Sequence, residues 1–147
     1  LLVDCYNANP QSVAAALDLL GTVQELGSRV AVLGSMLELG DTSPELHRRA
    51  LGDALRRPLE LVVATGLFSE AAAEVHASAQ GPELVVAPTL EEAEAALLER
   101  LGGTEVVLLK ASRGVAMEAL IPALETHFGT SESPRPTRVA PEAGREG

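Results

Sequence analysis

A single cysteine, no tryptophan and only three other aromatic residues, one Tyr and two Phe, stand in a chain of 147 residues. One cysteine cannot close an internal disulfide, and such sparing use fits a reducing compartment. Aromatics at 2% leave too little for a base-stacking surface. Basic residues are also few: 11 Lys and Arg against 21 Asp and Glu give a net charge of −10. Nucleic acid and anionic membrane surfaces both need a basic footprint, so neither is an expected partner. No apolar run approaches the ~18 residues of a membrane span. No basic-then-apolar leader opens the chain, so the expected location is cytoplasmic. Leu1 begins directly in an apolar, strand-like run. That opening reads as a piece of a longer protein.

What remains is ample for one core. Hydrophobic residues make up 46% of the chain, and a domain of this length buries roughly 70% of its unfolded surface. The composition changes near Gly129. Residues 130–147 carry three prolines and three charges of each sign. They have too little apolar surface to offset their ordering entropy. The expected organisation is a folded unit over 1–129 and a flexible, Pro-rich tail over 130–147. The tail's charges cancel, so residues 1–129 hold 8 basic and 18 acidic residues and the whole −10.

Within the folded unit, apolar runs alternate with helical patterns. Leu1–Cys5, Arg29–Leu33, Glu60–Thr65, Glu83–Ala87 and Glu105–Leu109 are nearly continuous in apolar character, as in strands buried on both faces. Between them lie four stripes at helical spacing. The first is Val13, Ala16, Leu17, Leu20 and Val23. The second is Leu46, Ala50, Leu51, Ala54 and Leu55. Phe68, Ala71, Ala72 and Val75 make the third, and Leu90, Ala93, Leu97 and Leu101 the fourth. Asn9-Pro10 and Ser43-Pro44 each put a capping residue before a proline. Thr89 with Glu92 reads as a capping box. Gly27 and Gly102 fit left-handed residues that end helices. Met117, Leu120, Ile121 and Leu124 keep helical spacing with Pro122 among them, so a break is expected near Ile121.

Fivefold strand–helix alternation implies an α/β, Rossmann-like, three-layer domain. Its sheet would be mainly parallel, of five or six strands, with helices on both faces. Functional groups in such sheets gather at the carboxyl ends of the strands. Three of those ends carry chemistry. After the first strand comes Asp4-Cys5-Tyr6-Asn7-Ala8-Asn9-Pro10. A carboxylate there can accept two hydrogen bonds from a ribose diol, and Asn9 can cap the next helix. The alternative is that Asp4 and both Asn residues only close a turn. After the second strand, Gly34 and Gly40 frame a loop carrying Glu38 and Asp41, with His47 early in the following helix. This loop alone also reads as an apolar cover with a surface His. After the fifth strand comes Lys110-Ala111-Ser112-Arg113-Gly114. Two cations three residues apart before a helix N-terminus make an anion site, the alternative being a solvated turn. His47, His76 and His127 lack ligand spacing and Cys5 stands alone, so no metal site is expected.

Together, Asp-x-Tyr-Asn-Ala-Asn-Pro, then Met-Leu-Glu-Leu-Gly followed by His47, then Lys-x-Ser-Arg resemble the C-terminal domain of a Mur ligase over about residues 1–128. The resemblance is nearest to the MurF-type branch, which joins D-alanyl-D-alanine to UDP-N-acetylmuramoyl-tripeptide in bacterial peptidoglycan synthesis. Asn7 and Asn9, where other branches carry His, favour that branch. The resemblance implies a three-domain enzyme that phosphorylates the peptide carboxylate with ATP and lets the dipeptide amine displace phosphate. Carried over by motif, Asp4, Tyr6 and Asn7 would bind ATP, with Asp4 on the ribose. Lys110 and Arg113 would be catalytic. Ser112, Glu38 and His47 would line the substrate mouth. Lys110, Ser112 and Arg113 would face either the phosphoryl group or the dipeptide carboxylate. ATP and Mg²⁺ would serve the full-length enzyme, with neither held by this domain alone. The partners would be the N-terminal and central domains of the same chain and the two substrates, in a monomer.

Departures are visible too. No Gly-x-x-x-x-Gly-Lys-Ser/Thr phosphate loop occurs in the sequence. The domain is therefore expected to fold by itself and to catalyse nothing alone. Ala111 stands where the family usually has Gly, Cys5 where Ser is common, and Pro122 is unexpected. Ala111 could crowd a backbone approach to an anion. The competing readings are a stand-alone nucleotide-binding or receiver-like module, and the C-terminal domain of a Mur-type ligase for another amino acid.

Overall fold

In the computed structural model, which describes residues 1–5, 7–23, 27–77 and 80–128, strand and helix alternate five times. The order is β1 (Leu2–Asp4), α1 (Pro10–Thr22), β2 (Arg29–Leu33), α2 (Ser43–Leu55), β3 (Leu61–Ala64), α3 (Leu67–Ala71), β4 (Glu83–Val86), α4 (Leu90–Arg100), β5 (Val106–Lys110) and α5 (Leu120–Phe128). The five strands form one sheet in the order β1-β5-β2-β3-β4. Every pairing is parallel. The expected three-layer, parallel architecture is the one observed. The expected tail, 130–147, lies outside the described residues.

The pleat divides the core in two. Successive strand side chains point to opposite faces. Ala31, Leu33, Val62, Ala64, Val106 and Leu108 therefore pack on one side with Leu17 and Leu20 of α1, Leu51 of α2 and Phe68 of α3. Val30, Val32, Leu61, Val63, Val107 and Leu109 pack on the other with Ala93 and Leu97 of α4 and Leu120 and Leu124 of α5. Thus α1, α2 and α3 cover one face, and α4 and α5 the other.

Several local expectations shift. β4 is not buried on both faces: it pairs with β3 alone, Glu83 faces solvent, and Val86 is 51% exposed. β1 is the opposite edge, and its three residues are only partly buried. Asn9 caps α1 as expected, with Ser12 completing a capping box. Thr89 and Glu92 do the same for α4. Ser43, however, lies inside α2; the cap position falls to Thr42, which makes no side-chain bond there. Ser43 can be helical because Pro44 then occupies the second helical position, where its missing N–H costs nothing. Gly27 does not end α1, which closes at Val23. It sits where a Cβ would come within 1.9 Å of the Thr104 carbonyl oxygen, so glycine is needed for close approach of backbones. After α4 the left-handed residue is Gly103 (φ 109°), not Gly102. The third stripe supports only the short α3 and a 3₁₀ turn at Ala72–Glu74. The break expected at Ile121 comes earlier, between a 3₁₀ turn at Met117–Ala119 and α5. Pro122 then falls in the first turn of α5, where backbone N–H groups have no partner to lose.

Candidate functional site

Topology alone marks one place. β5 lies between β1 and β2, whose following helices go to one face, while α5 goes to the other. Loops that part on either side of a strand end open a crevice there. The carboxyl end of β5 is Lys110, in register with Asp4 of β1 and Leu33 of β2.

Lys110 is the only lysine in the sequence, and it is 1% exposed. Being even-numbered like Leu108, it points to the α1 face. Asp4 follows Leu2 onto the same face. Register and pleat together place the two side chains side by side. The Lys110 Nζ lies 2.9 Å from Asp4 Oδ2 and donates a short hydrogen bond to the Asn7 carbonyl oxygen. Asp4 keeps 13% side-chain exposure, and Asn7 is exposed. Tyr6 lies outside the described residues.

Ser112 ties the neighbouring loops together. Its hydroxyl accepts from the Leu37 N–H (2.9 Å) and donates to the Ala8 carbonyl (3.4 Å). Its own N–H donates to the Ser35 carbonyl (3.0 Å). The loops after β1, β2 and β5 thus converge on one buried serine. Sequence reading missed Ser35 and Gly66, which extend this linkage. The Ser35 hydroxyl accepts from the Leu67 N–H at 2.8 Å. Gly66 (φ 61°) passes so close that a Cβ there would lie 2.4 Å from Ser35 Oγ. A glycine directly after an apolar run was the available signal.

His47 is buried, not on the surface. Its Nε2 accepts from the Met36 N–H (2.9 Å), and its Nδ1 donates to the Ser43 carbonyl (2.7 Å). Both bonds are satisfied only by a neutral ring with its proton on Nδ1. Burial holds its pKa below 6.5, against the opposing pull of the Ser43 carbonyl and the Glu70 carboxylate. Its ring meets the Phe68 ring edge-on at 4.7 Å. His47 therefore braces the β2–α2 loop from beneath. Glu38 is exposed on that loop, at φ 65°, and Leu37 beside it is 40% exposed.

Arg113, three residues beyond the end of β5, is exposed. The segment it opens is a three-residue 3₁₀ turn, and α5 starts only at Leu120. The helix N-terminus expected beside Lys110 is therefore absent: Gly114 and the left-handed Ala116 (φ 60°) interrupt any longer helix. Ala111 does not crowd the mouth. Its methyl is fully buried in the opposite core layer, in space left by Gly34, where a Cβ would come 2.8 Å from it. Cys5 is buried too, its thiol pushed up to about 12 chiefly by burial, so it is no nucleophile. Among the described residues, no group of three or more His, Cys, Asp or Glu is placed to hold a metal ion. No helix of the described residues is long and apolar enough to cross a membrane.

Comparison with known proteins meets this geometry. The Mur ligase family, glutamate ligase domain, matches residues 1–113, a span that ends on Arg113 and contains every site residue above. The UDP-N-acetylmuramoyl-tripeptide–D-alanyl-D-alanine ligase of Treponema pallidum is 41% identical over 126 residues, which are 84% of this chain and 27% of that protein. The ligase of the same name from Synechocystis is 34% identical over 142 residues, 89% of this chain and 28% of its own. A crystal structure of MurF from Acinetobacter baumannii superposes with a TM-score of 0.69 at 34% identity, covering 84% of this chain and 27% of that one. MurF ligase from Thermotoga maritima, solved in complex with ADP, gives 0.64 at 28% identity, covering 86% and 29%. The chain spans about a quarter of the length of the relatives it matches.

Proposed function

The chain belongs to the Mur ligase family, as its glutamate ligase domain, and from that premise we propose that it is the C-terminal domain of an ATP-dependent ligase adding D-alanyl-D-alanine to UDP-N-acetylmuramoyl-tripeptide. In the proposed reaction the γ-phosphoryl group passes from ATP to the peptide carboxylate and ADP departs. The dipeptide amine then attacks the acyl carbon, phosphate leaves, and the amine nitrogen gives up its proton. This domain contributes surfaces to both steps. Asp4 accepts hydrogen bonds from the ATP ribose hydroxyls, with Asn7 beside the nucleotide. A carboxylate has about four acceptor sites, so one ion pair leaves room for a diol. Arg113 offers an exposed guanidinium to the phosphoryl group or the dipeptide carboxylate, an anion geometry that suits its forked donors. Glu38, Ser112 and His47 shape the mouth, the last two by holding its loops. Mg²⁺ would arrive with the ATP phosphates; among the described residues no cluster of carboxylates is placed to hold it. The setting is the cytoplasm, where both nucleotides are found.

The observation that carries this reading is that the loops bearing Asp4 and Asn7, Glu38, and Ser112 and Arg113 are tied together at the carboxyl end of β5, inside the matched span. Phosphate release by the full-length protein, with ATP and UDP-N-acetylmuramoyl-tripeptide, tests it. Release should depend on D-alanyl-D-alanine, and Arg113→Ala should raise the dipeptide KM or lower kcat at least tenfold. Dependence on a single amino acid in place of the dipeptide would point to another branch of the family. The 147-residue chain alone carries no phosphate loop and should hydrolyse no ATP.

A further inference from the structure

We propose that Lys110 is a positioning residue for the nucleotide loop, acting through Asp4 and Asn7 without touching ligand. The ammonium is 1% exposed, so it meets a ligand only through the groups that cover it. Two of its three donors are spent on Asp4 Oδ2 and the Asn7 carbonyl. These acceptors flank the β1–α1 turn, and they bear partial or full negative charge. Without a cation between them they repel, and Asp4 turns toward water. With it, one carboxylate oxygen is pinned. Among the described residues the other, Oδ1, takes no hydrogen bond from protein. A strand-borne lysine thereby presets both the direction of Asp4 and the path of the loop that carries Asn7. Because the lysine sits in the β5 ladder, this setting is as rigid as the sheet. The charge of the pair also cancels locally, so the polyphosphate of a nucleotide meets no bare carboxylate at this point.

This inference rests on the reading of Asp4 as the ribose-binding carboxylate, and a double-mutant cycle in the full-length ligase separates the two. Lys110→Met, similar in length and uncharged, should raise the ATP KM about tenfold and leave the dipeptide KM and the kcat at saturating ATP within about twofold. Placed on Asp4→Asn, it should add less than about twofold, because the partner is already lost. A lowered kcat with a normal ATP KM, or effects of the two substitutions that multiply, would overturn the positioning role. Asp4→Asn with a normal ATP KM would instead sink the ribose assignment, and the inference with it. A second measurement needs no variant. Lys110 of the native chain should resist an amine-acylating reagent, followed by peptide mass mapping, at least a hundredfold relative to free lysine. Rapid acylation that ADP prevents would show a lysine open to ligand and refute the proposal.

Discussion

His47 makes the stability of this domain depend on pH in a way that can be isolated. The ring is neutral because Nε2 must accept the Met36 N–H while Nδ1 donates to the Ser43 carbonyl. Protonating Nε2 would set two N–H groups against each other in a buried site. Burial, opposed by the Ser43 carbonyl and more weakly by Glu70 across the α2–α3 cleft, keeps its pKa below 6.5. The unfolded chain has no such constraint and binds the proton near 6.5. Stability supported by neutral His47 is therefore complete above pH 6.5. It is lost as pH falls below that value, until the folded form also protonates. From pH 7.5 to 5.5 the loss is at most about 1.4 kcal/mol, the linkage of one proton that the unfolded chain binds and the folded chain resists. Urea unfolding of the chain at both pH values measures it. His47→Gln, which keeps a polar group but does not titrate, should remove this part of the pH difference. The same difference in both proteins would refute the argument, as would a ¹⁵N spectrum with the imidazole proton on Nε2 at neutral pH. His47→Ala should cost about 3 kcal/mol above pH 6.5, from an unpaired buried Met36 N–H and a cavity beside Phe68, and less in acid, where the native chain has already lost the support of neutral His47.

Gly34→Ala should destabilise by about 2 kcal/mol, because its Cβ would come 2.8 Å from Ala111 Cβ and 2.5 Å from the Met117 terminal methyl. Ala111→Gly in the same chain should recover part of that loss, and calorimetry of the single and double variants decides it. Asn9→Ala removes the acceptor of the Ser12 N–H at the start of α1 and should cost about 1 kcal/mol in chemical denaturation.

The five strands, the Asn9 cap, the Thr89–Glu92 capping box and the three motif-bearing loops were legible in the sequence because each depends on residues close together in the chain. Apolar runs gave the strands within a residue of their observed ends. Asn9 with Ser12 and Thr89 with Glu92 act over three residues. The early break before Pro122 escaped because a proline in a first turn and one inside a helix read alike until the helix start is known. The partnership of Lys110 with Asp4 and Asn7 could not be read at all. Its hydrogen bond to the Asn7 carbonyl closes over 103 residues, and it exists only because β1 pairs with β5 in the register that sets Asp4 opposite Lys110. The same holds for Ser112 and Leu37, 75 residues apart, and for the burial of His47 under Met36. Local pattern determined which residues would stand at strand ends. Strand order and register, set by packing over the whole sheet, decided which of them are spent on one another and which are left to face a ligand.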